Sequence, residues 1–554
     1  MANLPETERA VQLVGPDELI FNSSKPVYPP GQHQIVCRVE AVGLCFSDLK
    51  LLKQFSSHAR KSRIISGIDQ AILKQIPSYV IDQAPAVPGH EAVVRVEAVG
   101  PGVERYKPGE RYLVQTDYRW LRTQSANAAF GYNFEGALQE YVLMDERIIT
   151  SPRGESFLIP VPEELSASAI ALVEPWACVE DAYVSKERQV LKTNGRMLVS
   201  ADVKVAADVL HSLFNRYGRP GQITWFSKSA VPAGLDVEVK KAASISELSE
   251  AGYDDVIYFG HDAKIVEALF AKVAAGGLFN IVLSGGKFDT NVATMVGRVH
   301  YGGIRIVGTT GSDPAESMEY IPETGEIRQG DKINIIGAAG PMGMMHVIRN
   351  ICQGVKGVCV FAGDVDDNRL AILTRIAAPL AKKNGVDYKT YNPTKDKVTE
   401  SFDYIALMAP VSRLVASSVE DASKNGIINI FAGIPATVTA GINLDAYIEK
   451  KLYFIGTSGS VLEDMKQVLA KVKAGRLDTN TSVAAVCGLE GATEGIRAVE
   501  NRSIAGKIMV YPACKGLGLT PLEKLNAEMP EVAKCLSDGL WTKKAEQKLL
   551  EIYQ

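Results

Sequence analysis

The sequence lacks the cysteine spacing of disulfide-rich miniature folds and the excess positive charge of nucleic-acid-binding surfaces. Its eight cysteines are spread over 554 residues without a C-x-x-C pair, which excludes a disulfide scaffold and favours a reducing, cytoplasmic setting. Its 60 basic and 64 acidic residues nearly cancel, leaving a formal charge of -4. We therefore expect no nucleic-acid partner and no anionic membrane partner, and a small molecule becomes the expected ligand.

Long apolar runs are also missing, and the first residues do not have the pattern of a secretory leader. The first twenty residues contain several charges and no continuous apolar core, so we expect no signal peptide. The longest uncharged stretch, 425–444, is interrupted by Gly433, Pro435 and Gly441, which favours a buried strand with loops over a membrane span. What is present, 46% apolar and 22% charged residues, is typical of a folded chain of three or four compact domains.

Two patterns divide the chain. Up to about residue 160, short β-rich runs alternate with Gly and Pro, which predicts a small all-β barrel or sandwich. A polar, helical insertion interrupts it at about 50–83. Beyond Leu172, strands alternate with longer amphipathic segments, as in parallel α/β units. We therefore predict an α/β protein whose N-terminal β-rich domain covers 1–188.

The α/β portion contains an internal repeat. Residues 256–286 resemble 404–435, and within them Gly277 and Asn280 match Gly426 and Asn429 at a constant offset of 149. Two tandem doubly wound domains are predicted, a first copy over 190–318 and a second copy over 325–480. A helical extension is expected over 515–554.

A glycine-rich turn follows the apolar strand 333–336 of the second copy. Gly337 would end the strand, Gly340 would let a pyrophosphate approach the backbone, and Gly343 would let the next helix pack closely. The spacing departs from the usual G-x-G-x-x-G because Ala338 occupies its first glycine position. Free N–H groups at the helix N-terminus would bind the phosphate.

A carboxylate 21 residues beyond Gly343 favours NAD over NADP. Asp364 follows the next strand, where it can accept hydrogen bonds from a ribose diol and repel a 2'-phosphate. Its alternative role is helix capping, and Asp366 is the rival for the ribose. In the first copy, 196–217 contains no glycine, and the side chains of 202–204 would obstruct a pyrophosphate. We predict that this copy binds no dinucleotide and serves as a packing or oligomerisation module.

Three motifs of the N-terminal domain supply zinc-ligand chemistry. Cys45, His90 and Glu174 offer a thiolate, an imidazole and a carboxylate, a suitable set for zinc with an open fourth position. Their separations are too long for a local finger, so their convergence depends on the fold. Taken singly, Cys45 is more readily explained as a buried small apolar residue and His90 as a structural histidine.

Together these motifs resemble the medium-chain, zinc-dependent alcohol and polyol dehydrogenases, such as sorbitol and threonine dehydrogenases. The family pattern G-x-C-x-S-D, then G-H-E, then a turn-rich V-G-x-x-V segment, then E-P, is matched by GLCFSD, VPGHE, VGPGVERYKPGERYLV and VEPWACVEDAY. Glu110 stands where the family usually has Asp. The resemblance covers the first 185 residues, the second copy and the stretch to about 512. It implies a GroES-like catalytic domain, completed by about 481–514, and Rossmann-like nucleotide domains.

The resemblance also implies roles for individual residues. Cys45, His90 and Glu174 would bind one catalytic zinc. Glu91 would be a neighbouring, exchangeable ligand, and Ser47 would relay the proton. No structural zinc is implied, because no cysteine lies between Glu91 and Glu174. The implied contacts to NAD(H) are Gly337, Gly340, Pro341, Met342, Gly343, Asp364, Arg369, Ala409, Gly433 and Gly456.

The expected activity is hydride transfer between NAD(H) and a secondary alcohol or ketone of a polyol, sugar or sugar phosphate, in a homo-oligomer. The basic cluster 58–63 of the insertion could hold a substrate phosphate, as a further resemblance to ketose-phosphate reductases suggests, or be a solvated surface. The A-A-G-x-x-G form of 338–343 leaves open a metal-free, quinone-oxidoreductase-like reductase. The glycine-free first copy leaves open a non-catalytic NAD-responsive scaffold.

Overall fold

The computed structural model describes residues 4–457 and 459–553, and its elements follow the two patterns of the sequence. The N-terminal segment is mainly β-structure. Its strands are β1 Thr7–Gly15, β2 Glu18–Pro26, β3 Gln34–Gly43, β4 Ile64–Ser66, β5 Glu91–Val99, β6 Arg111–Val114, β7 Asp117–Thr123, β8 Asn127–Ala129, β9 Tyr141–Asp145 and β10 Leu158–Pro160. Its helices are α1 Phe46–Gln54, α2 Gln70–Leu73, α3 Ala167–Ala171 and α4 Val173–Val184.

The middle segment alternates strands with helices. The first copy contains β11 Arg196–Ala201, α5 Ala207–Tyr217, β12 Gln222–Ser227, β13 Glu238–Lys241, β14 Tyr253–Phe259, α6 Ala263–Phe270, β15 Val273–Val282, β16 Val292–Thr294, α7 Gly297–Tyr301, β17 Arg305–Thr309 and α8 Ala315–Met318. The second copy contains β18 Lys332–Ile336, α9 Pro341–Cys352, β19 Cys359–Gly363, α10 Asp367–Asn384, β20 Asp387–Tyr391, β21 Phe402–Leu407, α11 Ser412–Asp421, β22 Ala422–Ile430, β23 Ala440–Ile442, α12 Leu444–Glu449 and β24 Tyr453–Ile455.

The C-terminal segment returns to the first sheet. Its elements are α13 Leu462–Lys473, β25 Val483–Cys487, α14 Leu489–Asn501, β26 Lys507–Val510, β27 Thr520–Pro521, α15 Leu525–Glu528, α16 Pro530–Ala533 and α17 Lys543–Tyr553. These elements and the N-terminal segment form one unit, which ends at Cys178 and resumes at Ser460. The second unit spans Val179–Gly459.

The first unit is built on a sheet in the order β10-β6-β5-β3-β26-β25-β27, with β9 pairing with β3. Strand β26 of the C-terminal segment pairs antiparallel with the end of β3, and β3 pairs antiparallel with β5. Apolar residues of both segments form a single core cluster. The end of β3 therefore lies between two partner strands, and this position builds the candidate site.

The second unit contains two parallel sheets of the same order. The strands run β13-β12-β11-β14-β15-β17 in the first copy and β20-β19-β18-β21-β22-β24 in the second. Numbered within each copy, both orders are 3-2-1-4-5-6, the Rossmann arrangement, in which ligands bind where the strand order reverses. The predicted pair of doubly wound sheets is confirmed. The two copies share one hydrophobic core, so they form one unit instead of two separate domains.

One boundary and the content of two segments differ from the sequence-based prediction. Helix α13 and the segment up to 480 belong to the first unit, although the periodicity of the chain assigned them to the second copy. The insertion contains β4, which pairs with β7, beside its short helices. The tail contributes β27 to the main sheet before its helices begin. None of the described helices is both long and apolar enough to cross a bilayer.

Candidate active site

Neighbouring strand ends bring Cys45 and His90 together. Gly43, at the end of β3, lies opposite Glu91, at the start of β5, so Cys45 lies beside His90. The ligand atoms of Cys45, His90 and Glu91 all lie within 4.8 Å of one another. A Cβ on Gly43 would lie 2.2 Å from Oε2 of Glu91, so glycine at this position makes room for the carboxylate. Thiolate, imidazole and carboxylate are the ligand types that zinc accepts.

Asp48 orients the His90 ring. Nδ1 of His90 lies 3.0 Å from Oδ1 of Asp48, and the other carboxylate oxygen accepts a hydrogen bond from the backbone N–H of Cys45 at 3.1 Å. Burial opposes charge on His90, but the Asp48 carboxylate raises the pKa of the ring well above its ordinary value. With Nδ1 held by a carboxylate, Nε2 is the ring atom available to a metal, as in most metal-binding histidines.

Glu91 is fully buried and, within the part of the chain that the structure describes, only one of its oxygens has a hydrogen-bond partner. Its Oε1 accepts a hydrogen bond from Nζ of Lys507 at 2.5 Å, and the same ammonium donates to the carbonyl of Leu44 at 2.7 Å. Burial opposes the charge on Lys507, but Glu91 raises the pKa of this lysine above its usual range. Oε2 of Glu91 finds no hydrogen-bond partner among the described residues. Buried polar atoms are usually satisfied, so this oxygen is suited to a cation.

Glu174 lies outside the converging group, in the first turn of α4. Burial raises the pKa of its carboxyl to about 7, with smaller influences from His90 and Glu91. The resemblance implied Glu174 as the carboxylate ligand and Glu91 as exchangeable. In the structure, Glu91 is the carboxylate that joins Cys45 and His90, because it is the chain neighbour of His90, whereas Glu174 approaches from a helix.

Ser47 and Tyr132 border the same group. The Ser47 hydroxyl donates to Sγ of Cys45 at 3.1 Å and lies 3.2 Å from Nε2 of His90. The ring centroid of Tyr132 lies 5.8 Å from that of His90, and burial raises the pKa of its hydroxyl. Tyr132 is buried whereas Ser47 is half-buried. A hydroxyl can both donate and accept a hydrogen bond, and the relay role of Ser47 stays a prediction.

Much of the basic cluster 58–63 is neutral or already bonded. Burial lowers the pKa of His58 to about 4, helped by the positive charge of Arg60, so the imidazole is neutral at pH 7. Burial lowers the pKa of Lys61 to about 8, and its ammonium donates to three backbone carbonyls within 80–84. The role of Lys61 is to hold the insertion together.

Arg60 places positive charge beside the candidate site. Its guanidinium lies 5.5 Å from the ring centroid of Tyr132 and pairs with Asp117 at 3.0 Å. Asp117 also pairs with Arg119 at 3.4 Å. Because two guanidinium groups share one carboxylate, one positive charge is not neutralised within this cluster.

The glycine turn of the second copy has the geometry of an anion site. Gly337 has a φ of +83°, a conformation that favours glycine. A Cβ on Gly343 would lie 2.2 Å from the carbonyl oxygen of Gly337, so only glycine lets α9 pack against this turn. A Cβ on Gly340 would have no neighbour closer than 3.8 Å. Gly340 therefore leaves open space at the N-terminus of α9, where backbone N–H groups are available.

Asp364 closes the turn. Its Oδ2 accepts a hydrogen bond from the backbone N–H of Ala339 at 3.0 Å, and its Oδ1 accepts one from Asp366 at 3.2 Å. Asp366 caps α10 by accepting from the backbone N–H of Arg369 at 3.1 Å. Helix α10 is therefore capped by Asp366 and not by Asp364. Each carboxylate oxygen of Asp364 keeps a lone pair that can accept a further hydrogen bond.

The other implied NAD contacts lie near the carboxyl ends of the second-copy strands. Pro341 and Met342 begin α9, Arg369 pairs with Asp366 at 3.6 Å, and Ala409, Gly433 and Gly456 follow β21, β22 and β24. Two of the glycines also have packing reasons. A Cβ on Gly433 would lie 2.6 Å from the hydroxyl oxygen of Tyr301, and one on Gly456 would lie 2.9 Å from Cα of His300.

The corresponding turn of the first copy is filled by side chains. Helix α5 follows β11 through 202–206, which has no glycine. The hydroxyl of Tyr258 donates to Asp202 and accepts from the backbone N–H of Asp262 at 2.9 Å. The first copy thus has a different turn from the second, and the expectation that it binds no dinucleotide stays a prediction.

The comparisons with known proteins identify the N-terminal region. Residues 31–153 match the family model of the alcohol dehydrogenase GroES-like domain. This stretch carries Cys45, Ser47, His90 and Glu91. L-sorbose 1-phosphate reductase of Klebsiella pneumoniae is 25% identical over 226 residues, which are 39% of this chain and 54% of that protein. Mannitol-1-phosphate 5-dehydrogenase of Aliivibrio fischeri is 25% identical over 250 residues, 41% of this chain and 58% of that protein.

The chain thus carries an alcohol dehydrogenase GroES-like domain and is similar to polyol-phosphate dehydrogenases and reductases. The alignments span only about half the length of the curated relatives it matches. The crystal structure of 2R,3R-butanediol dehydrogenase from Bacillus subtilis superimposes with a TM-score of 0.53 at 14% identity, covering 91% of this chain and 100% of that one. This likeness shows a shared fold, and the predicted GroES-like and Rossmann-like architecture is confirmed.

Three residues of the site had no role assigned from the sequence. Asp48 is part of the matched GLCFSD segment, but nothing in the sequence indicated that its carboxylate pairs with His90. Tyr132 and Lys507 come from distant segments without a local motif. Long-range strand pairing would have been needed to find them, since β26 reaches β3 across more than 400 residues.

Proposed function

We propose that this protein is a zinc-dependent oxidoreductase that transfers a hydride between NAD(H) and a secondary alcohol or ketone of a polyol, sugar or sugar phosphate. The observation that carries the proposal is the convergence of Cys45, His90 and Glu91 on one point, beside a carboxylate that orients the histidine. A second support is the open glycine turn of the second copy, next to Asp364.

The described residues fit a zinc ion. Cys45, His90 and Glu91 would hold it, and Glu174 is the adjacent carboxylate. The unpaired Oε2 of Glu91 is the detail that a purely structural cluster leaves unexplained. Zinc, when bound, supplies a Lewis acid that lowers the pKa of an alcohol. Asp48 keeps the imidazole in one orientation and so pre-organises the ligand set.

The chain's own groups supply proton transfer and cofactor positioning. Ser47 accepts the proton of the substrate hydroxyl and passes it outward, since its oxygen contacts both Cys45 and His90 and is half-buried. NAD, when bound, supplies the hydride acceptor, and the protein's contribution is orientation. Gly340 admits the pyrophosphate to the backbone, and Asp364 accepts from the ribose diol.

A phosphorylated substrate is the more specific form of the proposal. Two relatives bear names of enzymes that act on hexose or hexitol phosphates. Arg60 and Arg119 share the carboxylate of Asp117, so they can also attract a phosphate, which arginine binds through paired N–H donors.

The first experiment measures metal content and turnover together. We expect one zinc per chain, and Cys45→Ser and His90→Ala should lose both the metal and at least about 100-fold in turnover. Cys535→Ser, at a cysteine far along the chain in the tail, is the matched control. Full turnover in zinc-free protein would favour the metal-free reductase. NAD binding without turnover on a polyol and polyol-phosphate panel would favour the scaffold.

The second experiment tests the substrate class. Arg60→Ala should raise KM for a polyol phosphate by about tenfold and leave KM for the matching free polyol unchanged, because only the charged substrate loses an ion pair. Arg63→Ala, which removes another charge of the same cluster, is the control. Equal effects of Arg60→Ala on both substrates would remove the phosphate from the proposal.

A further inference from the structure

The two copies of the second unit meet through equivalent strands. Strand β16 pairs antiparallel with β23, with Ala293 opposite Gly441 at the centre of the register. An offset of 148 converts the bounds of β16 into those of β23, so each strand pairs with its own counterpart. Ala293 and Gly441 are themselves counterparts. The pairing is therefore centred on an approximate two-fold axis.

A reciprocal close approach repeats this symmetry. A Cβ on Gly308 would lie 2.7 Å from Cγ1 of Ile448, and a Cβ on Gly456 would lie 2.9 Å from Cα of His300. The offset of 148 relates Gly308 to Gly456 and also relates His300 to Ile448. Each copy thus packs a helix, α7 or α12, against a glycine within or directly after the other copy's last strand.

The start of each of these helices also contacts a loop of the other copy. Asp445, in the first turn of α12, accepts hydrogen bonds from backbone N–H groups of residues 288 and 289 at 3.0 and 2.9 Å. Its counterpart Gly297, in α7, donates its backbone N–H to the carbonyl of Val438 at 3.4 Å. Val438 is the counterpart of residue 290. Each helix therefore begins against the same loop of the other copy.

Apolar packing and a buried hydroxyl join the last strands. The hydroxyl of Tyr447 donates to the carbonyl of Ile306 at 2.8 Å and accepts from the backbone N–H of Phe454 at 3.0 Å. All three residues are fully buried, and apolar residues of both copies form one core cluster. The contact between the copies is apolar and buried like a permanent protein interface, and unlike a loose contact between domains.

We propose that the first copy is a tethered partner, which occupies a self-complementary face of the second copy within the same chain. In a two-fold interface, each contact between a residue of one copy and a residue of the other is repeated by the counterparts of those two residues. A fold that carries this face once would need a second copy of itself to cover it. Here the face is closed internally, so a homo-oligomer of this chain must use another surface. The assignment is independent of the chemistry proposed above.

The test is a double variant of the full chain, Ala293→Cys with Gly441→Cys, under mild oxidation. Directly opposed residues of antiparallel strands have Cα atoms about 4.5–5.5 Å apart, within the range of a disulfide. We expect an intrachain disulfide in a species with the mass of one chain, 59.9 kDa. Each single variant is a control and should form no new crosslink. A two-chain disulfide species would overturn the proposal, as would two thiols that stay unpaired in the folded protein.

A measurement on the unmodified protein serves if the double variant does not fold. Amide hydrogen exchange of 292–294 and 440–442 is followed at two protein concentrations that differ about 100-fold. An intrachain contact gives the same protection at both concentrations. Protection that falls on dilution would show that separate chains supply the contact, and would overturn the proposal.

Discussion

The first and second copies share a strand order but not a turn. Both sheets have the strand order 3-2-1-4-5-6. The turn after the first strand contains Gly337, Gly340 and Gly343 in the second copy, whereas the corresponding segment of the first copy, 202–206, contains no glycine. Sheet formation therefore does not require the glycine turn. It requires the alternation of apolar strands with amphipathic helices, which both copies keep. The glycines of the second copy allow a helix to pack closely and leave room for a ligand. These two roles can be tested by separate substitutions.

Gly343→Val should have the largest effect on the second copy. Its Cβ would lie 2.2 Å from the carbonyl oxygen of Gly337 and 2.7 Å from Cα of Ala338, so rigid backbone must move. We expect the free energy of unfolding to fall by about 3 kcal/mol or more, and NAD binding to be lost with it. Urea unfolding and calorimetric titration measure both. A stable variant that still binds NAD would contradict the close packing of α9.

Gly340→Val should remove binding and keep the fold. Its Cβ meets nothing closer than 3.8 Å, so the unfolding free energy should change by at most about 1 kcal/mol. The valine would occupy the space proposed for pyrophosphate, and we expect NAD affinity to fall about 100-fold, roughly 3 kcal/mol. Unchanged affinity, or a stoichiometry of two NAD per wild-type chain, would show that the functional copy is misassigned.

Asp364→Asn should change the choice of cofactor. The amide oxygen can still accept the N–H of Ala339, while the bond from the N–H of Asp366 is lost because the amide nitrogen cannot accept. The negative charge that repels a 2'-phosphate is gone. We expect the preference for NAD over NADP to narrow about tenfold, near 1.4 kcal/mol. Steady-state kinetics with both cofactors measure it. Asp366→Asn is the control, and a larger shift in that variant would transfer the ribose role to Asp366.

Asp202→Ala in the first copy should have the smallest effect. It removes the acceptor for Tyr258 and should lower the free energy of unfolding by about 1 kcal/mol. NAD affinity and turnover should stay at wild-type values, because the first copy is proposed to bind no dinucleotide. A change in NAD stoichiometry in the Asp202→Ala variant would contradict that difference between the copies.

Local patterns were enough for the elements and for the repeat. The β-rich runs became β3, β5, β6 and β9, and the shared strand order followed from two similar segments. The spacing of Cys45 and His90 did not show that they meet, because the contact depends on the register of Gly43 with Glu91. The choice between Glu91 and Glu174 depends on the same register, so the family resemblance alone could not decide it.

Long-range contacts account for the rest. Lys507 reaches Glu91 only because β26 pairs with β3, and no local pattern encodes that pairing. The common core of the two copies was also unforeseen, since the repeat predicts two similar folds and contains no information on how they pack. The absence of glycine from the turn of the first copy could be seen in the sequence. That its last strand and α7 contact the second copy could not.

The tandem arrangement changes what a single substitution does. In a homodimer encoded by one gene copy, every substitution appears on both sides of the axis. Here Ile448 and His300 hold counterpart positions, so the two sides have already diverged in size and polarity. One half can lose an ability that the other keeps, without any loss to the pair. The chain is thus able to evolve an asymmetric pair one residue at a time.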